Sequence, residues 1–265
     1  MDMKRKLHLQ LVLSIGLLCS IFSGYLYADQ SCSASIISAI DSDLKKSGDY
    51  ILDIACKTKP EDISEEIVAL VSASKINKDE YKYIVLVKDV GAGIDWSRAY
   101  SSKLYLDNGV SLDKKSIWID TANYELNEKV RAFGVRLGLQ YATSCTENVI
   151  GRPLSLFIRE HDKVRPVLRD VPTEYFHTLL KQGEVGCDQS MISSTEVGKL
   201  YLSMDDSANQ NFKDIRLKLK ICDVNGVSCR ALVGGLKYDG DSNSGEYKKA
   251  EWERYIDDNW LLGKE

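Results

Sequence analysis

The chain has 265 residues, of which 44% are hydrophobic and 28% are charged, and its formal net charge is −4. This length is enough to bury a sizeable core in one large domain or two small ones. The mild acidity argues against a nucleic-acid-binding protein, because phosphate groups attract a basic surface. It is compatible with a basic protein partner.

The first 28 residues have the pattern of a secretory signal peptide. Three basic residues near the start, Lys4, Arg5 and Lys6, precede an apolar stretch, and the segment ends at Ala28. The apolar stretch is shorter than the roughly 20 residues of a membrane-spanning helix. An uncleaved anchor and a lipoprotein linked through Cys19 are the alternatives. We therefore predict an exported protein of the bacterial periplasm. Its remaining charge is −6, because the leader holds four charged residues with a net charge of +2.

The segment after the leader is predicted to form a helix, a strand and a second helix. "SIISAIDSDLKK" (35–46) is the first helix and "YILDIAC" (50–56) is the strand. In "TKPEDISEEIVALVSASK" (58–75), Thr58 is a candidate N-cap and Pro60 stands in the first turn. The apolar residues of this segment form one stripe at helical spacing: Ile63, Ile67, Leu70 and Val71.

The next part of the chain alternates apolar and polar residues, which is typical of β-strands. The predicted strands are "YKYIVLVKD" (81–89), "SKLYLDNG" (102–109), "SIWIDTANY" (116–124) and "RAFGVRLGLQY" (131–141). In the last two, Asp120 and Thr121 are predicted to end one strand, and Arg131 and Arg136 lie on the other. We interpret an Asp–Arg contact between them as structural.

A hairpin and a short helix are predicted for the following segment. "PLSLFIRE" (153–160) and "KVRPVLRD" (163–170) are the strands, with His161 in the turn between them. "PTEYFHTLLKQG" (172–183) is predicted to be a helix that ends at Gly183. A domain boundary is placed close behind it.

The C-terminal part contains the clearest strand of the chain. The predicted strands are "GKLYLSMDD" (198–206), "DIRLKLKIC" (214–222) and "RALVGGLKYDG" (230–240). In the second of these, four apolar residues point to one face and three cations to the other: Ile215, Leu217, Leu219 and Ile221 against Arg216, Lys218 and Lys220. The tail after residue 246, with Trp252, Tyr255, Trp260 and Leu261, is predicted to close the core as a helix or a strand.

The six cysteines after the leader indicate disulfide bonds in an oxidising compartment. Nearest-neighbour pairing predicts Cys32–Cys56, Cys145–Cys187 and Cys222–Cys229. The last pair has a geometric basis, because Asn225–Gly226 favours a type I′ hairpin turn that places the two cysteines opposite each other. This count puts them at a hydrogen-bonded pair, the wider of the two cross-strand spacings. Zinc binding would need tighter cysteine spacing or histidine ligands.

Taken together, these patterns predict a mainly β protein with a few helices (α+β), an antiparallel β-sandwich-like fold bridged by disulfides. We predict a signal peptide (1–28), a β-rich domain with an N-terminal helix (29–185) and a C-terminal β module (186–265). A single continuous sandwich is the alternative.

No motif for catalysis stands out. The chain has neither a Gly-x-Ser-x-Gly nor a His-Glu-x-x-His motif, and a catalytic triad would need His161 or His177. Two adjacent acid pairs, Asp205–Asp206 and Asp257–Asp258, are interpreted as solvated surface. Gly91 and Gly93 are interpreted as a bend, because a phosphate-binding loop would need further glycines and a helix behind them. We predict no catalytic residues and no cofactor.

The weak metal candidate is "DGDSNSGE". Asp239, Asp241 and Asn243 alternate like the first three ligands of a calcium loop. The glycine, however, comes one place late, and Ala250 stands where the closing glutamate belongs. A polar turn is the favoured interpretation.

The runs "IDTANYELNEKVRAFGVR", "LSLFIREHDKVRPVL", "FKDIRLKLKI" and "LKYDG" resemble an uncharacterised group of exported β-rich proteins of Gram-negative bacteria. In that group a similar Asp-Thr-Ala-x-Tyr and Ala-Phe-Gly-Val-Arg run precedes a Leu-x-Leu-Phe-x-Arg strand. The resemblance spans about residues 116–240. It implies no established activity and no catalytic residue. Some exported proteins of this build look like immunity proteins of type VI secretion toxins.

We therefore predict a periplasmic, non-enzymatic protein-binding protein, most concretely an immunity protein that inhibits a secreted toxin or effector enzyme. Exposed acids and aromatic residues on loops are the predicted contacts: Asp95, Trp96, Tyr100 and Asp107. The alternatives are a periplasmic cell-wall or carbohydrate hydrolase that uses paired carboxylates and a structural envelope protein.

Overall fold

The computed structural model describes residues 30–76, 80–106, 110–141, 148–180, 192–205, 212–240 and 245–261. It has two α-helices, α1 (Ala34–Lys46) and α2 (Ala250–Ile256), with a 3₁₀ turn at Trp96–Arg98 and a π-helical turn at Asp257–Leu261 within these ranges. The strands are β1 (Asp49–Lys59), β2 (Asp62–Ser74), β3 (Tyr81–Asp89), β4 (Tyr100–Leu104), β5 (Val110–Glu125), β6 (Arg131–Tyr141), β7 (Asn148–Gly151), β8 (Leu154–Glu160), β9 (Lys163–Val171), β10 (Glu174–Leu180), β11 (Ile192–Met204), β12 (Ile215–Asp223), β13 (Cys229–Leu236), β14 (Tyr238–Asp239) and β15 (Glu246–Tyr247).

The strands form three main antiparallel sheets, which confirms the predicted fold class. Sheet A has the order β1-β2-β3-β4, sheet B the order β5-β6-β8-β9, and sheet C the order β13-β12-β11-β10-β7. Strands β14 and β15 form a separate short pair. Neither α1 nor α2, the helices of the described ranges, is long and apolar enough to span a membrane.

Three apolar clusters stack these elements in the order α1, sheet A, sheet B, sheet C. The first cluster lies between α1 and one face of sheet A and includes Ile40 and Leu70. The second joins the other face of sheet A to sheet B and includes Val85 and Phe157. The third joins sheet B to sheet C, with Leu156 facing the apolar side of β12. Sheets A and B are therefore covered on both faces.

The predicted helix at residues 58–75 is wrong, because this segment forms the end of β1 and all of β2. Strand β2 lies in the interior of sheet A, and its residues from Ile67 to Ala73 are all buried. Ala69 packs towards sheet B, whereas Val68 and Leu70 pack towards α1. A strand buried on both faces loses the apolar–polar alternation, so its apolar residues match a helical stripe equally well.

The predicted helix at residues 172–183 is also wrong, because residues 174–180 form β10. The strand pairs with β7 on one side and with β11 on the other, and Tyr175 and His177 point into the core. The predicted helix at 35–46 is confirmed as α1. Its N-cap is Ser33, whose hydroxyl accepts from the Ile36 amide, and Lys45 and Lys46 lie in its last turn.

Polar side chains join sheets A and B at their edges, and Gln30 and Asp53 make the closest contacts. The Gln30 side chain accepts a hydrogen bond from the Ile119 amide at 2.8 Å and donates one to the Ile119 carbonyl at 3.0 Å. The Gln30 carbonyl accepts from the Cys56 amide of β1. A carboxylate oxygen of Asp53 accepts from the Ile117 amide and the Ser116 hydroxyl. These bonds satisfy backbone groups of β5 that have no neighbouring strand there.

Two predicted disulfides are confirmed, Cys32–Cys56 and Cys222–Cys229. The third predicted pair, Cys145–Cys187, lies outside the described residues. Cys32–Cys56 fixes the segment before α1 to β1, and Cys222–Cys229 closes the hairpin between β12 and β13.

The C-terminal helical segment packs on the face of sheet C that points to sheet B. The Trp252 ring covers Gly234, and the Trp260 ring covers Gly198. A Cβ atom on either glycine would approach the ring carbons to about 2.5 or 2.6 Å, which is too close for van der Waals contact. The tail thus closes the core as predicted, and helix is the form that it takes.

Sheet C draws strands from both predicted domains. Strands β7 and β10 precede residue 185, and β11 to β13 follow it. The boundary itself falls outside the described residues and stays a prediction.

Candidate protein-binding face

The outer face of sheet C points away from sheet B and is covered by no described element. We call its central part the basic face, because it carries four exposed cations: Lys199 on β11 and Arg216, Lys218 and Lys220 on β12. None of the four has a side-chain ion pair or hydrogen bond within the part of the chain that the structure describes. Three apolar side chains lie among them, Tyr201 (54% exposed), Val233 (47%) and Phe176 (39%).

The register of the strands arranges these residues in rows across the sheet. Lys218 lies between Tyr201 and Val233, and Lys220 lies between Lys199 and Ala231. The strict alternation of β12 produces this arrangement, because its apolar residues fill the inner face and leave every cation outside.

Lys199 and Lys220 are direct cross-strand partners. Like charges that face each other in this way destabilise a sheet. The one acid in the same row, Glu174, is the partner of Lys199 on its other side, and it also lies 3.5 Å from Arg152. Among the described residues the basic face therefore carries an excess of positive charge, although the whole chain is acidic.

The hairpin tip, residues 223–228, extends the basic face at one end. Val224 and Val227 are 68% and 85% exposed. The predicted type I′ turn is wrong. The Gly226 amide donates to the Asp223 carbonyl, the Asp223 amide donates to the Ser228 carbonyl, and Gly226 takes the left-handed conformation with φ 72°. The loop therefore closes at the Asp223–Ser228 pair.

This longer loop corrects the spacing of the neighbouring disulfide. Because Asp223 and Ser228 are hydrogen-bonded, the next pair outward, Cys222 and Cys229, is of the narrow type. Its Cα atoms are 4.1 Å apart. The disulfide forms at this pair, and not at the wider pair that the sequence predicted.

Several bonds hold the hairpin tip in one conformation. The Asp223 carboxylate accepts from the Val227 amide at 2.8 Å, and the Val224 amide donates to the Thr195 carbonyl of β11. At the base, Arg230 donates two hydrogen bonds to Glu196, at 2.5 and 2.9 Å. These bonds raise the pKa of Arg230 above its usual value. The exposed valines are therefore presented on a rigid support.

The predicted contact residues at 95–100 lie elsewhere, at the start of β4 in sheet A and in the turn before it. Asp95 is exposed and caps the 3₁₀ turn, because its carboxylate accepts from the Ser97 hydroxyl and amide. Trp96 is half-buried, and its indole donates to Asp43 at 2.9 Å. Tyr100 is half-buried, with its ring centroid 5.3 Å from that of Phe157. Asp107 lies outside the described residues. A binding role for this group stays a prediction.

The stretch at residues 116–141 forms a half-buried polar contact within sheet B. Arg136 donates two bonds to Asp120, the closer at 2.6 Å, and the Tyr124 hydroxyl donates to the same oxygen at 3.0 Å. Burial disfavours the charged carboxylate, but bonds from the Ala122 amide and Arg136 hold the pKa of Asp120 below its usual value. Burial, and then the Asp120 charge, raise the pKa of Tyr124. The prediction that Asp120 and Thr121 end the strand is wrong, because β5 continues through an irregularity to Glu125.

The histidines that a catalytic triad would need lie in different surroundings. His161 is exposed in the turn between β8 and β9, with φ 55°. His177 is buried under Trp260, with ring centroids 5.9 Å apart. Of the two predicted acid pairs, Asp257–Asp258 lies in the C-terminal turn, and Asp206 is outside the described residues.

Asp239, the first residue of the weak calcium candidate, lies at a cleft of about 610 Å³ next to α2. Asp239 lines this cleft and is 2.7 Å from Lys248, and Arg169 pairs with Glu246 at the same distance. Asp241 and Asn243 lie outside the described residues. Within the described ranges, no group of three or more histidine, cysteine or acidic residues is placed to hold a metal ion.

No protein-family model, curated protein or solved structure matches the chain. The basic face and the hairpin tip therefore stand on their own geometry as the candidate site.

Proposed function

We propose that this is an exported, non-enzymatic protein-binding protein, most concretely an immunity protein that inhibits a secreted toxin enzyme such as a type VI effector. The observation that supports this proposal is the open outer face of sheet C. It combines cations that have no partner among the described residues, exposed apolar side chains and a rigid hairpin tip on one side of the molecule.

A rigid support favours tight inhibition of an enzyme. Binding orders the side chains and loops at an interface, and a surface that is already ordered loses less conformational entropy. Here the backbone of the face is a hydrogen-bonded sheet, and the hairpin tip is closed by a disulfide and by Asp223. Inhibition by shape and charge needs no catalytic group.

Export to the periplasm is part of the proposal. The signal-peptide pattern of residues 1–28 supports it, and the two disulfides are compatible with an oxidising compartment.

The test pairs the protein with enzymes encoded next to its gene, each directed to the periplasm of a common host. We expect one of them to stop growth alone, and co-expression of the exported protein to restore growth. The purified pair should form a stoichiometric complex in which the enzyme is inhibited. A matched control without residues 1–28 should fail to protect, because it stays in the cytoplasm.

Two results would contradict the proposal. One is that no neighbouring enzyme is inhibited by the purified protein. The other is that the protein itself turns over a cell-wall or carbohydrate substrate and loses this activity when one carboxylate is replaced, which would favour the hydrolase.

A further inference from the structure

We infer that the basic face binds an acidic protein surface, and that the hairpin tip enters an apolar recess beside it. This inference rests on the proposed function only in taking a protein as the partner. It also reverses the partner charge expected from composition, because the chain as a whole is acidic whereas its open face is basic.

The cross-strand pair of Lys199 and Lys220 is the first argument. The two ammonium groups share a row, with no carboxylate between them. A carboxylate from a partner, placed between the two, would remove their repulsion and gain attraction to both. Lys218 and Arg216 continue the positive charge along the same face of β12, so the partner needs several acidic groups.

The apolar residues argue for a protein and against a polyanion. Phosphate backbones are bound by cations along a groove, together with aromatic rings on which bases stack. The basic face has two aromatic rings, Tyr201 and Phe176, but aliphatic side chains accompany them: Val233 stands beside Lys218, and Val224 and Val227, at 68% and 85%, are more exposed than either ring. Aliphatic side chains next to cations match a protein surface, in which an apolar centre adjoins a polar rim.

The size of the face also suits a protein. Strands lie about 4.8 Å apart and advance about 3.4 Å per residue, so β10 to β13 present a flat area of about 450 Å² over seven residues. Side-chain relief and the hairpin tip enlarge the accessible area. Each partner in a standard interface contributes about 800 Å².

Photo-crosslinking in the bacterium that produces the protein tests the occupant directly. Tyr201 is replaced by p-benzoylphenylalanine in the full-length exported chain, and Tyr105, which is 80% exposed, is replaced in the control. We expect position 201 to give an adduct with one protein, at a peptide rich in Asp or Glu, and position 105 to give none with that protein. An adduct with lipid, polysaccharide or nucleic acid, equal labelling from both positions, or no adduct would contradict the inference.

Charge reversal then tests the chemistry with the purified crosslinked protein as probe. The variant carries Arg216→Glu, Lys218→Glu and Lys220→Glu. The control carries Lys75→Glu, Lys129→Glu and Lys163→Glu, three exposed cations outside sheet C, and changes the net charge by the same amount. We expect the dissociation constant to rise about 100-fold for the variant and less than threefold for the control at low salt.

Two milder variants keep the test valid if the triple variant does not fold. Lys218→Gln should weaken binding about tenfold, and the salt dependence of binding should decrease. Val224→Ser with Val227→Ser, which leaves the charge unchanged, should weaken binding without changing the salt dependence in this way. The inference would be contradicted if even one of these two variants bound the partner as tightly as the wild type.

The outcomes separate this inference from the proposed function. If position 201 labels an acidic protein that is not a toxin enzyme, the basic face is the binding surface but the proposed immunity function is wrong. If a toxin enzyme is inhibited equally by the wild type and the triple variant, the proposed immunity function holds but the basic face is not the binding surface.

Discussion

The two ends of the layered fold differ in how they meet solvent. At one end, α1 covers sheet A, and charged residues near this end are paired: Lys45 with Asp41, Lys46 with Asp43 and Lys82 with Asp49. At the other end, no described element covers sheet C, and the four cations of the basic face have no partner among the described residues.

This difference teaches that the two surfaces are under different constraints. A helix over a sheet completes a core, and paired charges around it are typical of a finished surface. An uncovered sheet with a like-charge pair gains nothing from these charges in the isolated molecule. We interpret the α1 end, where the sheet is covered, as structural, and the uncovered outer face of sheet C as the proposed binding surface.

Replacing Trp260 should have the largest effect, and it separates the inner face of sheet C from the outer one. Trp260 is 1% exposed and donates its indole N–H to Glu196 at 2.6 Å. Trp260→Ala should lower the free energy of unfolding by about 4 kcal/mol in urea titrations. The matched outer-face variant, Tyr201→Ala, should change it by less than about 0.5 kcal/mol. Similar losses for both would mean that the outer face is also part of the core.

Replacing Ile40 tests the α1 end in the same way. Ile40 is fully buried between α1 and sheet A. Ile40→Ala should lower the free energy of unfolding by about 3 kcal/mol and leave the dissociation constant of any partner unchanged once folding is saturated. A loss of binding at full folding would place the partner at the α1 end, near Asp95 and Trp96, and would contradict our comparison.

Asp120→Asn removes a charge that is paired with Arg136 in sheet B. We expect the free energy of unfolding to fall by about 2 kcal/mol at pH 7. The pKa of Asp120 is lowered by folding from a usual value of 3.8. Its contribution is therefore complete above this value and is lost as the pH falls through the lower, folded-state pKa. The difference between wild type and variant should shrink in unfolding titrations below pH 4. A constant difference in the free energy of unfolding between wild type and variant down to about pH 2 would show that the charge of Asp120 does not stabilise the fold.

Lys220→Glu should give the smallest effect, with the opposite sign. A carboxylate opposite Lys199 replaces repulsion by attraction, so thermal unfolding should show a stabilisation of about 0.5 kcal/mol. The same variant should bind the partner more weakly. Lys218→Glu, which faces Tyr201 and Val233, is the control and should not stabilise. A destabilised Lys220→Glu variant would mean that Lys220 has a structural role in the isolated protein.

The sequence predicted β12, the strand with the clearest alternation, and failed at β2, which is buried on both faces, and at β10. In β12 every second residue is charged, so the alternation is visible without a structure. In β2 the run from Ile67 to Val71 has no polar side, and Thr58 and Pro60 resemble the start of a helix. Helix α1 was predictable because its apolar residues recur at helical spacing and because the lysines at its end favour a helix C-terminus.

Half of the candidate site was visible in the sequence. Arg216, Lys218 and Lys220 share a face by simple alternation, and the exposed valines flank the Asn225–Gly226 turn. The other half depends on register between strands. Lys199 and Tyr201 join the face only because β11 pairs with β12 in one alignment, and Phe176 joins it only because its segment is a strand. Cross-strand neighbours of this kind are not encoded in any local spacing.

The amide of Gln30 acts as a substitute for a missing peptide group between two sheets. It reaches a backbone unit 89 positions further along the chain. The Gln30 side chain can make these hydrogen bonds only after β5 has folded. We therefore expect the N-terminal segment that contains Gln30 to be among the last parts of the chain to become ordered. Contacts so distant in sequence are slow to form, and exchange of the Ile119 amide with deuterium during refolding would time this final closure.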